Sequence, residues 1–163
     1  RAALTFLGSV VADAAAFGEV WVARDGAVVV GAAAWLPPGS YPPGPRRTAV
    51  SLARDLRSVH RLGRRVGAGM RLYSEIDRAH RRVTVPHWYL AVLGCDPAWQ
   101  RRGVGSALLV PVLGRADAES APVYLETQKA ENLPWYRRHG FEVVGELRAL
   151  GCPPMWAMQR DPR

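Results

Sequence analysis

The chain has 163 residues, 48% of them hydrophobic, which suits a single domain with a buried core and excludes a disordered segment. Its net charge of +8 would attract a polyanion, either a nucleic acid or a phosphorylated small molecule. Nearly all of that charge is arginine, since Lys129 is the only lysine, and a codon usage biased toward arginine would give the same excess. No basic stripe with interleaved aromatic residues favours nucleic-acid binding, and no apolar stretch approaches the roughly 20 residues that span a bilayer.

Cysteine and histidine residues give no metal-binding or redox pattern. Cys95 and Cys152 do not form a pair with metal or redox spacing, so a disulfide framework is not expected. The histidines are scattered without ligand spacing, and we predict no metal site; they are His60, His80, His87 and His139.

The first predicted element is a helix over residues 1–17. Leu4, Leu7, Val11 and Ala14 recur at helical spacing. An apolar N-terminal stretch can also be a secretory signal. Because an acidic residue interrupts the apolar run, we favour the amphipathic helix.

A β-hairpin and a loop follow this helix. Glu19–Ala23 alternates between apolar and other residues, Asp25-Gly26 is a hairpin turn signal, and Val28–Trp35 is the returning strand. Leu36–Pro45 contains five prolines and two glycines, which predicts a loop.

Two helices are predicted next. Apolar residues recur at helical spacing from Leu52 to Met70, with arginines on the other face, and glycines weaken the end of this helix. A shorter second helix is predicted from Leu72 to Ala79.

The second half alternates strands and helices, as expected for a mixed α/β sheet. Pro111 should kink or loosen the helix in which it lies, and Gly140 caps the next one. No internal repeat is present, so residues 1–163 are interpreted as one domain. The predicted elements are strand Trp88–Cys95, a glycine turn, helix Val104–Ala118, strand Val123–Thr127, helix Leu133–His139, and strands Glu142–Leu150 and Met155–Arg160.

The glycine turn, Gln100–Ser106, links a strand to a helix. Glycine allows close approach of a ligand and a positive φ, and free N–H groups at a helix start bind an anion. Arg101 and Arg102 would add charge-assisted bonds to phosphate. The spacing is neither that of a Walker loop nor that of the dinucleotide fingerprint, so by itself the turn indicates only an anion site.

Four segments together resemble the GNAT superfamily of acyl-coenzyme A N-acyltransferases: HWYLAVLGCDP, QRRGVGSALL, VYLET and NLPWYRRHGF. The match is close over residues 87–145, taken as the coenzyme A-binding core, and loose over 19–36. Within the superfamily the pattern is most similar to the puromycin N-acetyltransferase-like members. The resemblance implies a GNAT acyltransferase fold, with the first strand and first helix of that fold lacking in this chain. Arg101 stands where the superfamily usually has glycine, which affects the expected loop geometry.

The resemblance also implies site residues. It assigns the pantetheine arm to the backbone of Leu93, Gly94 and Cys95, and the thioester end to Asn132. Tyr136 matches the tyrosine that protonates the departing thiolate. The pyrophosphate is assigned to Gln100, Arg101, Arg102, Gly103, Val104, Gly105 and Ser106.

Elementary chemistry is consistent with these roles. An alkyl thiol has a pKa of about 8.5 and tyrosine one of about 10, so the Tyr136 hydroxyl can give its proton to a thiolate. A backbone N–H near Leu93–Cys95 could stabilise the oxyanion. Glu126 is the first candidate for the base that deprotonates the amine, through water, and His87 is a weaker one. For each of the two, the alternative is an ion-paired or otherwise satisfied structural residue.

Trp35, Trp88 and Tyr89 could line an acceptor pocket, although core packing is the better interpretation for most of them. Cys95 has no patterned histidine partner and is interpreted as a small buried side chain rather than a nucleophile.

The sequence therefore predicts an acetyl-CoA-dependent N-acetyltransferase that works by direct transfer in a ternary complex, without a metal. Its acceptor would be a primary amine of a small molecule, such as an antibiotic, or of a protein. We expect a cytoplasmic monomer or homodimer with neither a nucleic-acid nor a membrane partner. A non-catalytic acyl-CoA-binding or sensing module and a basic nucleic-acid-binding domain are the alternatives.

Overall fold

The computed structural model describes residues 2–51, 53 and 66–163. Four helices and six strands have defined bounds, residues 45–51 are also helical, and two 3-10 turns lie at Pro97–Trp99 and Ala130–Asn132. The elements in chain order are α1 Ala2–Phe17, β1 Glu19–Asp25, β2 Val28–Leu36, α2 Val66–His80, β3 Trp88–Cys95, α3 Val104–Ala118, β4 Val123–Thr127, α4 Leu133–Arg138, β5 Glu142–Leu147 and β6 Met155–Arg160.

The strands form one six-stranded mixed sheet in the order β1-β2-β3-β4-β6-β5. Only β3 and β4 pair in parallel, and all other neighbours are antiparallel. A parallel pair needs a crossover connection, and α3 supplies it. This α/β architecture confirms the predicted fold class.

Helices cover both faces of the sheet. The α3–α4 face holds the larger core, in which Leu109 and Val112 are fully buried beside Trp35 and Phe141. On the opposite face, Val11 and Ala14 of α1 pack on β2 and β3. The apolar side of α2 packs there too, against Leu147, Met155, Ala157 and Tyr124.

Most predicted elements are observed, with differences at their ends. The predicted long helix is described only from Val66 onward; residues 52 and 54–65 lie outside the described part. The two helices predicted up to Ala79 are joined there, since α2 runs continuously from Val66 to His80. Helix α3 continues through Pro111 without a break. Pro111 and Ala107 are both exposed, so the carbonyl that loses its N–H partner can bond to water.

A β-bulge lies in the middle of β3. Ala34 pairs with Val92 and Trp35 with Leu90, which leaves Ala91 as the extra residue. The extra residue reverses the alternation of side chains along the strand. Leu90 and Leu93 therefore both face the α3–α4 core, although they are three residues apart.

No helix in the described part of the chain is long and apolar enough to cross a membrane.

Candidate active site

The site is a gap between β3 and β4. These strands pair only at Trp88–Leu90 with Val123–Leu125. Beyond Leu90, β3 stays paired with β2, and beyond Leu125, β4 stays paired with β6. The two strands therefore diverge, and the C-terminal half of β3 has no strand partner on its β4 side among the described residues.

Backbone groups of Leu93 and Cys95 face this gap. The Asp96 N–H donates to the Val30 carbonyl at 2.9 Å, so the backbone of Asp96 is directed toward β2. Successive residues of a strand direct their N–H and C=O groups to opposite sides. Gly94 is consequently directed toward β2, while Leu93 and Cys95 offer donors and acceptors to the gap. Of the three residues assigned to the pantetheine arm, Leu93 and Cys95 direct their backbone groups into the gap, and Gly94 does not.

The glycine turn ends in an uncapped helix start. Helix α3 begins at Val104, its N-cap is Gly103 with φ +83°, and no side chain caps it. The first helical bond is donated by Ala107 to the Gly103 carbonyl at 2.9 Å, so the N–H groups of the three preceding residues have no helical acceptor. A Cβ placed on Gly103 would meet no atom within 4 Å. The turn is thus open, and its donors suit an anion.

Arg101 adopts φ +60°, the left-handed conformation that favours glycine. The glycine that the superfamily usually has at this position would adopt that conformation without strain. Arg101 adopts the same left-handed backbone conformation although it carries a side chain. Arg101 and Arg102 are both exposed. The Arg102 guanidinium lies 5.1 Å from the centre of the Trp99 ring, a cation–π contact that orients it. The remaining loop residue, Gln100, is exposed.

Helix α3 contacts α4 directly at the turn. A Cβ on Gly105 would lie 3.0 Å from Cζ2 of Trp135, so a larger residue here would have to push the Trp135 ring away. The Ser106 hydroxyl lies 3.0 Å from Nε2 of His139, directly after the end of α4. The helix that begins at the anion site therefore also positions α4, which carries Tyr136.

Tyr136 is buried in the α3–α4 core, where its ring packs edge-on against Trp135 and Phe141. Burial raises the pKa of its hydroxyl to about 12. The hydroxyl therefore stays protonated at neutral pH, as a proton donor must. Asn132 is half-buried, and its amide donates to the Thr127 hydroxyl at 3.4 Å, which ties the start of α4 to the end of β4.

Glu126 lies on the other face of β4, beyond the last residue that pairs with β3. Its Oε2 accepts a hydrogen bond from the Tyr89 hydroxyl at 2.8 Å. Its Oε1 is buried and has no partner among the described residues. Burial raises the pKa of Glu126 to about 7, although the hydroxyls of Tyr89 and Tyr124 lower it in part. A carboxylate with a pKa near the working pH suits a general base.

A cluster of polar rings adjoins Glu126 through Tyr89 and Tyr124, and sequence reasoning missed it. His80 and His87 are both buried, and their Nε2 atoms lie 2.6 Å apart. The His80 ring packs against Tyr89 and Tyr124, with centroid distances of 4.6 and 4.9 Å. The spacing of the histidines gave no signal because the contact depends on how α2 docks beside the start of β3.

Other predicted residues have structural roles. Trp35 and Trp88 are fully buried in the core, which supports core packing over an acceptor pocket. His87 hydrogen-bonds to His80 and to the Val85 carbonyl, so it is a satisfied structural histidine. Cys95 is half-buried rather than buried, because it lies at the open end of β3, and neither Cys95 nor Cys152 forms a disulfide.

No group of three or more potential metal ligands occurs among the residues that the structure describes.

The fold thus combines a diverging parallel strand pair with an uncapped helix start that suits an anion. A family model described as an acetyltransferase (GNAT) domain matches residues 59–143, which is more than half of the chain. The chain therefore belongs to the GNAT acetyltransferase family.

Individual relatives indicate an N-acetyltransferase. The chain is 39% identical over 116 residues to the N-alpha-acetyltransferase RimI of Mycobacterium tuberculosis, covering 66% of this chain and 71% of that protein. Its fold is similar to that of the polyamine N-acetyltransferase of Drosophila melanogaster, which forms N-acetylagmatine. The TM-score is 0.61 at 18% identity, and the match covers 88% of this chain and 75% of that one. The fold is also similar to that of Naa50 of Arabidopsis thaliana in complex with the bisubstrate analogue CoA-Ac-MVNAL. The TM-score is 0.59 at 17% identity, and the match covers 94% of this chain and 80% of that one.

Proposed function

We propose that this protein transfers the acetyl group of acetyl-CoA directly to a primary amine within the gap between β3 and β4. The observation that carries the proposal is the arrangement of three features around this gap. The uncapped start of α3 lies at its entrance, the free backbone groups of Leu93 and Cys95 line one side, and Glu126 lies where β4 leaves β3.

The coenzyme would bind through two kinds of backbone donor. Its pyrophosphate accepts N–H bonds from the first turn of α3, with Arg101 and Arg102 adding positive charge. Its pantetheine arm pairs with Leu93 and Cys95 as a short extra strand would, because those groups have no strand partner on the gap side within the described part of the chain. The thioester then lies in the gap near the end of β4.

Acid and base would act from opposite faces of the sheet. Glu126, on the α2 face, takes a proton from the ammonium group, directly or through one water. The amine nitrogen attacks the thioester carbon, and the resulting oxyanion is stabilised by a backbone N–H at the gap. The carbon–sulfur bond then breaks, and Tyr136, on the α4 face, gives its proton to the thiolate. The second proton leaves the nitrogen of the new amide through water and restores the Tyr136 hydroxyl.

The acceptor is proposed only as a class, the primary amines. RimI and Naa50 support the amine of a peptide N-terminus, whereas the polyamine enzyme and the puromycin-like pattern of the sequence support a small molecule. The test is a screen for release of free coenzyme A thiol with the peptide MVNAL, agmatine and puromycin. Amine-dependent thiol release from any of them supports the proposal. Thermal stabilisation by acetyl-CoA without release supports the non-catalytic module instead.

Replacement of Tyr136 tests the assignment of the acid. We expect Tyr136→Phe to lower kcat by about 10² to 10⁴-fold, the range typical of general acid catalysis. Because the ring and its packing remain, the thermal shift caused by coenzyme A should not change. Full activity of this variant would show that another group protonates the thiolate.

A further inference from the structure

Three unpartnered buried polar atoms lie in the ring cluster on the α2 face. They are Nδ1 of His80, Oη of Tyr124 and Oε1 of Glu126, and among the described residues only Trp35 has another such atom. Tyr124 and Glu126 are alternate residues of β4 and so share a face, and the Tyr124 ring contacts the His80 ring. Unpartnered buried polar atoms are costly, so three in one cluster indicate a place where a ligand supplies the missing bonds.

The hydrogen bonds of the histidine pair determine which atom of His80 is free. Nδ1 of His87 lies 2.8 Å from the Val85 carbonyl, which can only accept, so this nitrogen carries the proton of the neutral ring. Nε2 of His87 is then an acceptor, and Nε2 of His80 must donate to it. Nδ1 of His80 is left as a bare lone pair. Burial and the neighbouring His87 lower the pKa of His80 to about 3, so the lone pair stays free of a proton at neutral pH.

The three atoms match an ammonium group. A primary ammonium carries three N–H donors, and the cluster offers an imidazole nitrogen, a hydroxyl oxygen and a carboxylate oxygen as acceptors. Two tyrosine rings hold the His80 ring in place: Tyr41 stacks on it at 3.7 Å, and Tyr89 meets it edge-on.

A cavity between α2 and the β5–β6 hairpin adjoins the cluster at Tyr124. Its volume is about 170 Å³, and Tyr124 lines it. Ala79, which precedes His80, and Ala157, which pairs with Glu126, line it as well. The cavity has room for a short carbon chain behind the amine. Its other lining residues include Glu75, Arg78, Arg82, Glu146 and Gln159.

We propose that Nδ1 of His80 and Oη of Tyr124, together with Oε1 of Glu126, hold the primary ammonium group of the acceptor. The proposal rests on the transferase function above, because Glu126 is the base there. It adds His80 and Tyr124 as binding residues for the amine. Asp77 on α2, Arg47, His87 and the three tyrosines are the other titratable or charged groups that face His80.

Tyr124→Phe is the sharpest test because its hydroxyl makes no hydrogen bond of normal geometry in the free protein, although it lies close enough to Glu126 to lower the pKa of that carboxyl. We expect the variant to keep or raise the midpoint of thermal unfolding, while KM for the amine rises about tenfold, the effect of one such bond, and KM for acetyl-CoA is unchanged. Tyr89→Phe is the matched control. Its hydroxyl is bonded to Glu126, so that variant should unfold at a lower temperature. An unchanged amine KM in Tyr124→Phe would overturn the proposal.

His80 is tested by a pair of variants. His80→Phe keeps a ring and removes the acceptor, and we expect it to raise KM for the amine about tenfold. His80→Asn restores an acceptor oxygen close to the position of Nδ1 and should recover part of the binding. Equal amine KM in the two variants would contradict the role of Nδ1.

A binding experiment separates this proposal from the transferase function. Protein labelled with ¹⁵N-histidine is titrated with n-butylammonium chloride, and with n-butanol as the uncharged control. We expect a saturable shift of the His80 Nδ1 resonance with the ammonium only, weakened in Tyr124→Phe. Such a shift without amine-dependent thiol release would support the site and contradict the transferase. Thiol release without the shift, or an equal shift with butanol, would overturn the site and leave the transferase standing.

Discussion

At the residue scale, the protonation of Glu126 links stability to activity. Its pKa is raised from 4.5 to about 7 by burial. Between these values the folded protein holds a proton that the unfolded chain releases, so stability falls as pH rises through this window. Activity should rise as the pH passes through about 7, since the proposed base must be deprotonated in the folded protein.

Glu126→Gln should therefore be more stable than the parent protein at pH 8, by up to about 3 kcal/mol, because it stays neutral when buried. The difference should vanish near pH 4, where the parent is protonated in both states. We also expect kcat to fall by at least about 10²-fold. Urea unfolding at both pH values and a rate assay check this, and equal stability at pH 8 would contradict the raised pKa.

Arg101 combines backbone strain with a charge. At φ +60° a residue with a side chain costs about 1 kcal/mol relative to glycine. Arg101→Gly and Arg101→Ala both remove the charge, but only glycine relieves the strain.

Both Arg101 variants should raise KM for acetyl-CoA several-fold, because a charge-assisted bond to phosphate is lost. The glycine variant should be more stable than the alanine variant by about 1 kcal/mol. Denaturant unfolding of the pair measures this difference, and the opposite order would show that the residue leaves the left-handed conformation in solution.

At the element scale, the start of α3 is held against β2 through Gly31. A Cβ there would lie 2.7 Å from Cγ1 of Val104 and 3.1 Å from the Gly94 carbonyl. Gly94, on the neighbouring strand, has no atom within 4 Å of the same position. The two glycines therefore form a matched pair of tests.

Gly31→Ala should destabilise the protein by about 1–3 kcal/mol, the usual cost of overpacking, and raise KM for acetyl-CoA because Val104 begins the anion-binding helix. Gly94→Ala should cost no stability. Thermal unfolding and a coenzyme titration check both variants. If Gly31→Ala and Gly94→Ala are equally stable, α3 moves away from the sheet at little cost to make room for the added methyl group.

At the scale of the whole molecule, Arg160 joins three elements. It is buried on β6, makes two hydrogen bonds to Asp117 of α3 at 2.7 and 2.8 Å, and donates to the His139 carbonyl beyond α4. The hydrogen bond from Arg160 is the main reason that the pKa of Asp117 is lowered, with burial acting against it.

Arg160→Met should lower the free energy of unfolding by about 1–3 kcal/mol, since Asp117 loses two charge-assisted hydrogen bonds and the His139 carbonyl loses one. Arg148→Ala removes the same charge from an exposed pair with Glu146 and should cost under about 1 kcal/mol. Because the pKa of Asp117 is depressed, the contribution of Arg160 is present above pH 4 and disappears as pH falls below it. Urea unfolding of both variants at pH 7 and pH 3 measures this.

The order and type of the elements follow from the sequence because they depend on local patterns. Helical spacing and alternation predict α1 and the β1–β2 hairpin, and glycine allows the positive φ of the turn at Gly103. The largest differences in boundaries lie at α2 and at β5, which ends at Leu147 rather than Leu150, while β1, β2 and α4 differ by one or two residues. Element ends depend on tertiary contacts as well as on propensity.

The sequence by itself determined that a glycine turn begins a helix after a buried strand, since each of these features is encoded within a few neighbouring residues. Only the tertiary structure decided which groups share the site. Ala91 bulges, Leu93 and Cys95 face the gap, and the Tyr89 hydroxyl reaches Glu126, 37 residues away. Strand register and helix docking bring distant residues together through many weak contacts across the whole core, and no local pattern encodes that sum.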